Sequence, residues 1–198
     1  MSQQPVAVRV ARAHDAAAVA AIYAPIVRDT FISFETQAPD AAEMSQRIGS
    51  TLATHPWLVA ESADGEVLGY AYASRHQERG AYRWSVNVTA YLAEAARGQG
   101  LGRRLYGVLL PLLRRQGFRS AFAGIALPNA ASVGLHEAVG FEALGVYRDV
   151  GFKLGAWRDV GWWSLALSDG PGPPQDPIPF ARFRKTPACA DILAPEPT

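Results

Sequence analysis

The stretch SVNVTAYLAEAARGQGLGRRLY, residues 85–106, decides the fold of this chain. Its first part alternates apolar and polar residues up to Leu92, which predicts a strand. Glycines then occupy positions 98, 100 and 102, and apolar residues follow them at helical spacing. The pattern therefore predicts a strand, a glycine-rich turn and a long helix, with a kink where Pro111 interrupts the helix.

The glycine turn is suited to binding an anion but does not match a dinucleotide fingerprint. That motif needs its third glycine where Arg103 stands, and no Gly-Lys-Ser/Thr sequence of a phosphate loop follows. The turn leads into a helix N-terminus, where free N–H groups and the helix dipole favour negative charge, and Arg97 and Arg103 flank it. The alternative is that the glycines only satisfy the geometry of a helix entry, and the flanking arginines favour the anion site.

The other patterns predict an α/β (α+β) fold in which helices flank a mixed, mostly antiparallel sheet. Asp15 and Asp40 can each begin an apolar helix, and Pro25 should kink the first of these or end it early. Asn129 begins a further short helix. The repeated sequence Arg-Asp-Val-Gly, at 148–151 and 158–161, indicates a hairpin of the last two strands. The earlier predicted strands cover residues 6–10, 57–61, 67–73, 85–92 and 118–127.

The composition changes abruptly near residue 169. Eight of the 14 prolines lie between positions 171 and 197, where no apolar periodicity is present. We therefore predict one domain over residues 1–168 and a proline-rich tail over residues 169–198. We expect this tail to be extended or disordered, or strapped onto the domain or onto a second subunit.

The overall composition excludes several classes of function. A net charge of +1 gives no reason to expect a nucleic acid or membrane partner. The single cysteine, Cys189, allows no intrachain disulfide and no paired thiols for a metal, so we predict no metal site. The N-terminal residues lack a signal-peptide core, and no apolar run approaches the roughly 18 residues of a membrane span. We therefore expect a cytoplasmic protein.

The sequence Arg97-Gly-Gln-Gly-Leu-Gly102 resembles the acyl-CoA signature of the GNAT N-acetyltransferases, and the predicted order of elements is similar to their fold. Further segments, spread from about residue 6 to residue 167, resemble the phosphinothricin/methionine sulfoximine N-acetyltransferase branch of that family. These segments are residues 32–36, 56–61, 69–73, 81–84, 124–129, 135–138 and 151–163. The resemblance implies acetyl-CoA as the cosubstrate and a small amine as the acceptor.

The resemblance also implies which residues hold the coenzyme. The strand before the turn should offer backbone groups to the pantetheine and to the thioester carbonyl, and the turn should cradle the pyrophosphate. Asn129 should bind the coenzyme from the start of the next helix, although it can equally serve as a plain N-cap. The residues so implied are Ala90, Tyr91, Leu92, Arg97, Gly98, Gln99, Gly100, Leu101, Gly102, Arg103 and Asn129.

The proton acceptor is less clearly indicated, because the chain departs from the family pattern at one position. An alkyl ammonium must lose a proton before it attacks acetyl-CoA. The family carries a glutamate where this chain has Asn87, and an amide does not accept a proton. Three interpretations stay open: His136 or a water held by Asn87 is the base, the substrate arrives partly neutral, or turnover is poor and the chain mainly binds acetyl-CoA.

The acceptor side is implied by the segments that resemble substrate loops. Substrates of this branch are small amino acids with a second anionic head, and arginine forks fit carboxylate and phosphinate oxygens. The family has Gly-Pro before the second of these loops, whereas this chain has Ser-Arg-His at 74–76. Polyamines or a protein N-terminus are alternative acceptors. The residues implied for the substrate are Phe34, Glu35, Arg75, Arg79, Tyr82 and Arg83.

The last hairpin carries several large aromatic residues, and the resemblance implies that it contributes to a homodimer. An apolar exposed face on this hairpin would argue the same. The resemblance also implies direct attack of the amine on acetyl-CoA, without a covalent acyl-enzyme. Cys189 lies in the tail and is no credible nucleophile.

Overall fold

The computed structural model describes residues 6–168 and 175–194. These residues form seven strands and six α-helices. The strands are β1 (Ala7–Val10), β2 (Trp57–Glu61), β3 (Val67–Arg75), β4 (Ser85–Leu92), β5 (Ser120–Leu127), β6 (Glu142–Lys153) and β7 (Ala156–Ala166). The helices are α1 (Ala16–Asp29), α2 (Ala41–Thr54), α3 (Leu101–Gln116), α4 (Ala130–Ala138), α5 (Phe180–Phe183) and α6 (Pro187–Leu193).

The strands form one sheet in the order β1-β2-β3-β4-β5-β7-β6. Every neighbouring pair is antiparallel except β4 and β5, which are parallel. The prediction of a mixed, mostly antiparallel sheet is therefore confirmed. The parallel pair joins only residues 85–87 to residues 120–122, although both strands continue beyond it.

The sheet has an apolar core on each face, because side chains alternate along a strand. In β2, Leu58 packs with the cluster around α3, whereas Val59 packs with the cluster around α1 and α2. The α3 face is lined by fully buried side chains such as Leu105 and Leu109. On the other face, Met44 of α2 is likewise buried in the cluster around α1 and α2. Helices therefore cover both faces of the sheet.

Two helices continue through a proline. α1 runs to Asp29 across Pro25, so of the two effects predicted for this proline, a kink or an early end, the early end does not occur. A proline removes one backbone hydrogen bond, but Ile22 and Ile26 on either side of it are buried in the core and hold the helix together. α3 likewise extends across Pro111. Within residues 6–168 and 175–194, no helix has the length and apolar character needed to cross a membrane.

The described part of the tail is folded rather than extended. α5 and α6 place Phe180, Phe183 and Cys189 in the core cluster around α3, where their side chains are almost completely inaccessible. Ile178 donates its N–H to the carbonyl of Gln116, and the Gln116 side-chain amide donates back to the carbonyl of Ile178, each at 2.8 Å. Residues 175–194 are therefore neither extended nor disordered but packed onto the domain, one of the arrangements expected for the tail, because burial of these apolar side chains outweighs the high proline content. Residues 169–174 and 195–198 lie outside the described residues.

Candidate active site

A cleft opens where the parallel strands β4 and β5 part. The pairing ends at Asn87 and Phe122, and β4 then remains hydrogen bonded to β3 as far as Leu92. Residues 88–92 of β4 and 123–126 of β5 line a cavity of about 600 Å³ between them. The other edge of β4 therefore faces this cavity rather than a neighbouring strand.

The glycine turn closes one side of the cavity. Gly98 and Gly100 have φ angles of 72° and 78°, in the left-handed region that a residue with a Cβ atom adopts only with strain. α3 begins at Leu101, and its first internal hydrogen bond runs from the N–H of Arg104 to the carbonyl of Gly100. The N–H groups of residues 101–103 precede that bond, so they are free of the helix ladder at the border of the cavity.

Side chains of the turn hold its shape. The guanidinium of Arg97 donates to the carbonyl of Leu92 at 3.3 Å, and the amide of Gln99 donates to the carbonyl of Ala95 at 2.8 Å. A Cβ atom on Gly102 would lie 2.8 Å from the side chain of Leu135, so this glycine lets α3 pack closely against α4. All of the predicted coenzyme residues except Gln99 line the cavity, and Gln99 instead closes the turn.

Asn129 has features of both roles predicted for it, the N-cap of a helix and a coenzyme contact. Its side-chain oxygen accepts the N–H of Ser132 at 3.1 Å, so it caps α4. It also lines the cavity. The N-cap role is confirmed, and it leaves the residue beside the space in which a coenzyme would lie.

His136 is a buried histidine whose two ring nitrogens are both engaged inside the chain. Nε2 lies 2.9 Å from the hydroxyl of Tyr106, and Nδ1 lies 2.7 Å from the carbonyl of Ser132. Burial lowers the pKa of the imidazole below its usual value. The ring lines the cavity, and within the chain both of its nitrogens already have hydrogen-bond partners.

Asn87 contacts a different histidine, which the sequence analysis did not select. Nδ1 of His76 lies 2.8 Å from Oδ1 of Asn87. The ring of His76 stacks on Phe122 with centroids 4.3 Å apart. It also makes T-shaped contacts with Tyr82 and Trp162, whose ring centroids lie 6.0 and 6.1 Å away. His76 is therefore held at the point where β4 and β5 part.

A second group of polar residues lies on loop 31–36 and α2. Arg47 binds both carboxylate oxygens of Glu35, at 2.8 and 2.9 Å, and the hydroxyl of Tyr23 donates to Glu35 at 2.9 Å. The hydrogen bonds from Arg47 hold the pKa of Glu35 below its usual value. Burial raises the pKa of Tyr23, so its hydroxyl keeps its proton.

These residues border a small cavity of about 180 Å³. Its walls include the aromatic rings of Trp57, Tyr70 and Tyr72. The ring of Tyr91, which lines the larger cavity, lies 5.7 Å from that of Tyr70, and Ile32 also lines the larger cavity. Loop 31–36 and a cluster of tyrosines thus lie between the two cavities.

The β6–β7 hairpin holds loop 31–36 in place. The ammonium of Lys153 donates to the carbonyls of Ser33 and Glu35, and burial lowers the pKa of this lysine. The ring of Phe34 packs so closely against Gly151 that a Cβ atom there would clash with it. The loop is consequently positioned by a segment more than 110 residues further along the chain.

The remaining predicted substrate residues lie at the end of β3 and in the connection from β3 to β4, and they differ in their surroundings. Arg75 pairs with the exposed Glu78 at 3.2 Å, while Arg79 and Tyr82 are exposed. Arg83 bonds Asp176 of the C-terminal segment at 3.0 Å. Its cation also lies over the ring of its neighbour in sequence, 4.6 Å from the centroid. Arg83 is therefore joined to the C-terminal segment by a surface ion pair.

Four residues of this region escaped the sequence analysis: Tyr23, Arg47, His76 and Lys153. Arg47 lies four residues after Glu43 on α2, a spacing that by itself predicts only a surface ion pair. The Ser-Arg-His departure at 74–76 was a signal for His76, but its contact with Asn87 depends on the β3–β4 register, in which Ser74 faces Asn87.

Comparison with known proteins agrees with this geometry. Residues 8–162 match the family model described as acetyltransferase (GNAT) domain. The chain is 40% identical to phosphinothricin N-acetyltransferase of Streptomyces viridochromogenes, over 91% of this chain and 98% of the relative. It is 32% identical to L-methionine sulfoximine/L-methionine sulfone acetyltransferase of Salmonella typhimurium, over 84% and 97%.

A solved structure is similar over nearly the same span. The GNAT superfamily phosphinothricin acetyltransferase of Sinorhizobium meliloti, crystallised with acetyl-CoA, superposes with a TM-score of 0.83 and 34% identity, over 91% of this chain and 99% of that one. Together with the divided β4–β5 pair and the glycine turn, these matches place the chain in the GNAT family of N-acetyltransferases, with acetyl-CoA as the cosubstrate.

Proposed function

We propose that this chain transfers the acetyl group of acetyl-CoA to the amine of a small amino-acid-like compound, of the phosphinothricin or methionine sulfoximine type, by direct attack. The observation that carries the proposal is the cavity of about 600 Å³ that connects the glycine turn to the open edge of β4. At one end of the cavity lies the N-terminus of α3, which can bind an anion, and at the other end lie the main-chain hydrogen-bonding groups of β4.

The coenzyme lies along this cavity in the proposal. Its pyrophosphate accepts hydrogen bonds from the free N–H groups of residues 101–103, and Arg97 and Arg103 add charge beside them. The pantetheine follows the open edge of β4 at residues 90–92, and Asn129 borders it from α4. Gln99 supports the turn without binding the coenzyme.

The same edge of β4 serves the reaction. Negative charge develops on the thioester oxygen when an amine attacks, and a fixed backbone N–H of β4 is a preorganised donor for that charge. Loss of one such donor typically costs about 10²- to 10³-fold in rate. Because the pairing with β3 fixes β4 along its whole length, the donor does not need to reorganise during the reaction.

The acceptor amine approaches from the face of the sheet that carries Tyr72 and Asn87. Glu35, which Arg47 keeps ionised, supplies negative charge toward the substrate ammonium. Arg75 at the end of β3 and Arg79 in the loop after it supply positive charge for the substrate's anionic groups. A site for polyamines would need acidic walls, so the arginines favour an amino-acid-like acceptor.

The direct attack is supported by the position of Cys189. Its thiol is fully buried in the cluster that packs on α3, and burial raises its pKa above the usual value. A buried thiol with a raised pKa is a poor nucleophile. An acetyl-cysteine intermediate on this residue is therefore excluded from the proposal.

The test is a panel of amines incubated with acetyl-CoA, read by mass spectrometry of the product and by release of the coenzyme thiol. The panel contains phosphinothricin, methionine sulfoximine, spermidine and a peptide with a free N-terminus. We expect acetylation of the first two with at least tenfold higher kcat/KM than of the others. A preference for spermidine or the peptide would overturn the substrate assignment, and binding of acetyl-CoA without any product would overturn the enzymatic one.

We also propose that two copies of the chain associate through the β6–β7 hairpin. Its exposed apolar side chains include Tyr147, Phe152 and Trp157, with 58%, 61% and 62% of their surface accessible. Such a patch is typical of a protein interface. Light scattering of the wild-type protein should give twice the mass of one chain, and the Trp157→Asp variant should give the mass of one chain. The control variant Ile178→Asp, which changes an exposed apolar residue outside the hairpin, should keep the doubled mass. A monomeric wild type would contradict the proposed dimer.

A cytoplasmic location remains a prediction from the sequence.

A further inference from the structure

We propose that His76, held by Asn87, accepts the proton of the attacking amine. The inference rests on the proposed N-acetyltransferase function and assigns the base that the family places on a glutamate. The two positions at which the sequence departs from the family pattern, 74–76 and 87, meet in the structure, with Nδ1 of His76 2.8 Å from Oδ1 of Asn87.

The contact with Asn87 sets the protonation of the ring. An amide oxygen only accepts hydrogen bonds, so Nδ1 of the neutral imidazole carries the proton and Nε2 keeps its lone pair. Within residues 6–168 and 175–194, Nε2 has no hydrogen-bond partner. His136 differs, since both of its nitrogens are engaged by Tyr106 and Ser132. His76 therefore has a nitrogen available for a proton.

The position of His76 matches this role. Asn87 is paired with Phe122 at the last rung before β4 and β5 separate, and the imidazole stacks on Phe122. Trp162, whose ring is perpendicular to the imidazole with centroids 6.1 Å apart, also lies against Gly124 in the cavity wall. Tyr72, which borders the small cavity, lies on the same face of the sheet as Asn87, two residues along β3 from Ser74. His76 lines neither cavity itself, but its ring is fixed at the end of the β4–β5 pairing, against Phe122, which directly precedes the cavity-lining residue Ala123.

The proton transfers balance as follows. The substrate ammonium gives one proton to Nε2 of His76, and the neutral amine forms a bond to the thioester carbonyl carbon. The C–S bond then breaks, and the second proton of the attacking nitrogen passes to the departing sulfur, which gives the free thiol. The imidazolium releases its proton to solvent, so the products are the acetylated amine, coenzyme A and one proton. Asn87 is a positioning residue in this scheme, because it fixes the tautomer without touching the substrate.

His76→Phe is the main test, because a phenyl ring keeps the stack on Phe122 and removes both nitrogens. A general base contributes about 10²- to 10⁴-fold, so we expect kcat to fall by at least about 100-fold while the KM for acetyl-CoA changes less than twofold. His55→Phe is the matched control: His55 also stacks on a phenylalanine, but its Nδ1 is bonded to Thr54 at the end of α2 and not to Asn87. It should retain wild-type kcat. A His76→Phe enzyme within threefold of wild type would overturn the inference.

Two further measurements separate positioning and folding from catalysis. Asn87→Leu should lower kcat, whereas Asn87→Asp, whose carboxylate still accepts a hydrogen bond from Nδ1, should keep most of the wild-type kcat. The double variant His76→Phe/Asn87→Leu should have a kcat no lower than that of His76→Phe alone. Additive losses would contradict the pairing. If the variants fail to fold, ¹⁵N NMR of the wild-type histidines decides: we expect the Nδ1–H tautomer at His76, and the Nε2–H tautomer would refute it.

This test is distinguishable from failure of the proposed function. Wild-type turnover is measured first, on the amine panel. If no amine is acetylated, the proposed function fails, whatever the tautomer of His76. If the wild type is active and His76→Phe is equally active, the proposed function stands and only the assignment of His76 fails.

Discussion

The proposed coenzyme side and the proposed acceptor side of this cleft are built in different ways. On the coenzyme side, the turn and the edge of β4 present main-chain groups, and left-handed glycines at 98 and 100 set their direction. On the acceptor side, side chains from separate elements meet, as in the pairs His76–Asn87 and Arg47–Glu35. The coenzyme side should therefore be sensitive to changes of backbone conformation, and the acceptor side to the chemistry of single side chains.

The largest effect on the coenzyme side is expected for Gly100→Val. A β-branched residue is strained at a φ of 78°, so the turn should shift and the N–H groups of residues 101–103 should lose their alignment. We expect kcat/KM for acetyl-CoA to fall by about 100-fold, equivalent to about 2.7 kcal/mol, mainly through KM. Steady-state kinetics with varied acetyl-CoA measures this.

Gly107→Ala is the control for that change. Gly107 lies on α3 with open space around it and an ordinary helical backbone, so alanine should leave the kinetics unchanged and stabilise the helix by about 0.5–1 kcal/mol. Equal kinetics for Gly100→Val and Gly107→Ala would contradict the claim that backbone conformation governs the coenzyme side.

An intermediate effect is expected when Asn87→Glu introduces the carboxylate found in the family. Because the proposal assigns the proton acceptor of the wild type to His76, it predicts that kcat rises less than about threefold. In the His76→Phe background the carboxylate is the available base, and kcat should recover by about tenfold or more. A large gain in the otherwise unchanged chain would instead indicate that Asn87 marks impaired chemistry.

The smallest effect is expected for Arg47→Leu, which removes the cation beside Glu35. Both side chains are about one-third accessible, so the loss of stability should be about 1 kcal/mol or less, and the amine KM should rise about fivefold. Arg28→Leu, which removes an exposed arginine of a surface pair with Asp29, should change neither quantity. Unchanged amine KM in Arg47→Leu would exclude Glu35 from the acceptor site.

The pH dependence of unfolding checks the same pair. Because Arg47 lowers the pKa of folded Glu35 below 4.5, the unfolded chain takes up the proton first, and the stability from this pair is lost as pH falls below 4.5. Arg47→Leu should therefore lose less stability than the wild type between pH 5 and pH 3 in urea denaturation. An identical pH dependence of the two proteins would contradict this assignment.

The sequence predicted those parts of the molecule in which the relevant residues are neighbours along the chain. The strand, glycine turn and helix at 85–116 occupy 32 consecutive positions, so periodicity and turn chemistry were sufficient to identify them. Asn87 was likewise recognised as a departure from its local motif. Helices α5 and α6 were missed, because the prolines around them suggest no core while the burial of Phe180 depends on the distant helix α3.

The acceptor side was predicted less well, because its contacts join residues far apart in sequence. The bond between His76 and Asn87 spans 11 residues and depends on the β3–β4 register, and the bonds from Lys153 to loop 31–36 span 118 and 120 residues. His136 was favoured by its motif, yet only packing shows that Tyr106 and Ser132 engage both of its nitrogens. Arg83 was selected as a substrate ligand because the sequence does not reveal its ion pair with Asp176.

The central claim is that both sides of the cleft act at once, with coenzyme and amine bound together and the acetyl group passed in one step. Initial rates measured while acetyl-CoA and phosphinothricin are varied independently test this most directly. We predict double-reciprocal lines that intersect, as a ternary complex requires. Parallel lines, the pattern of an acetyl-enzyme formed before the amine binds, would contradict the account.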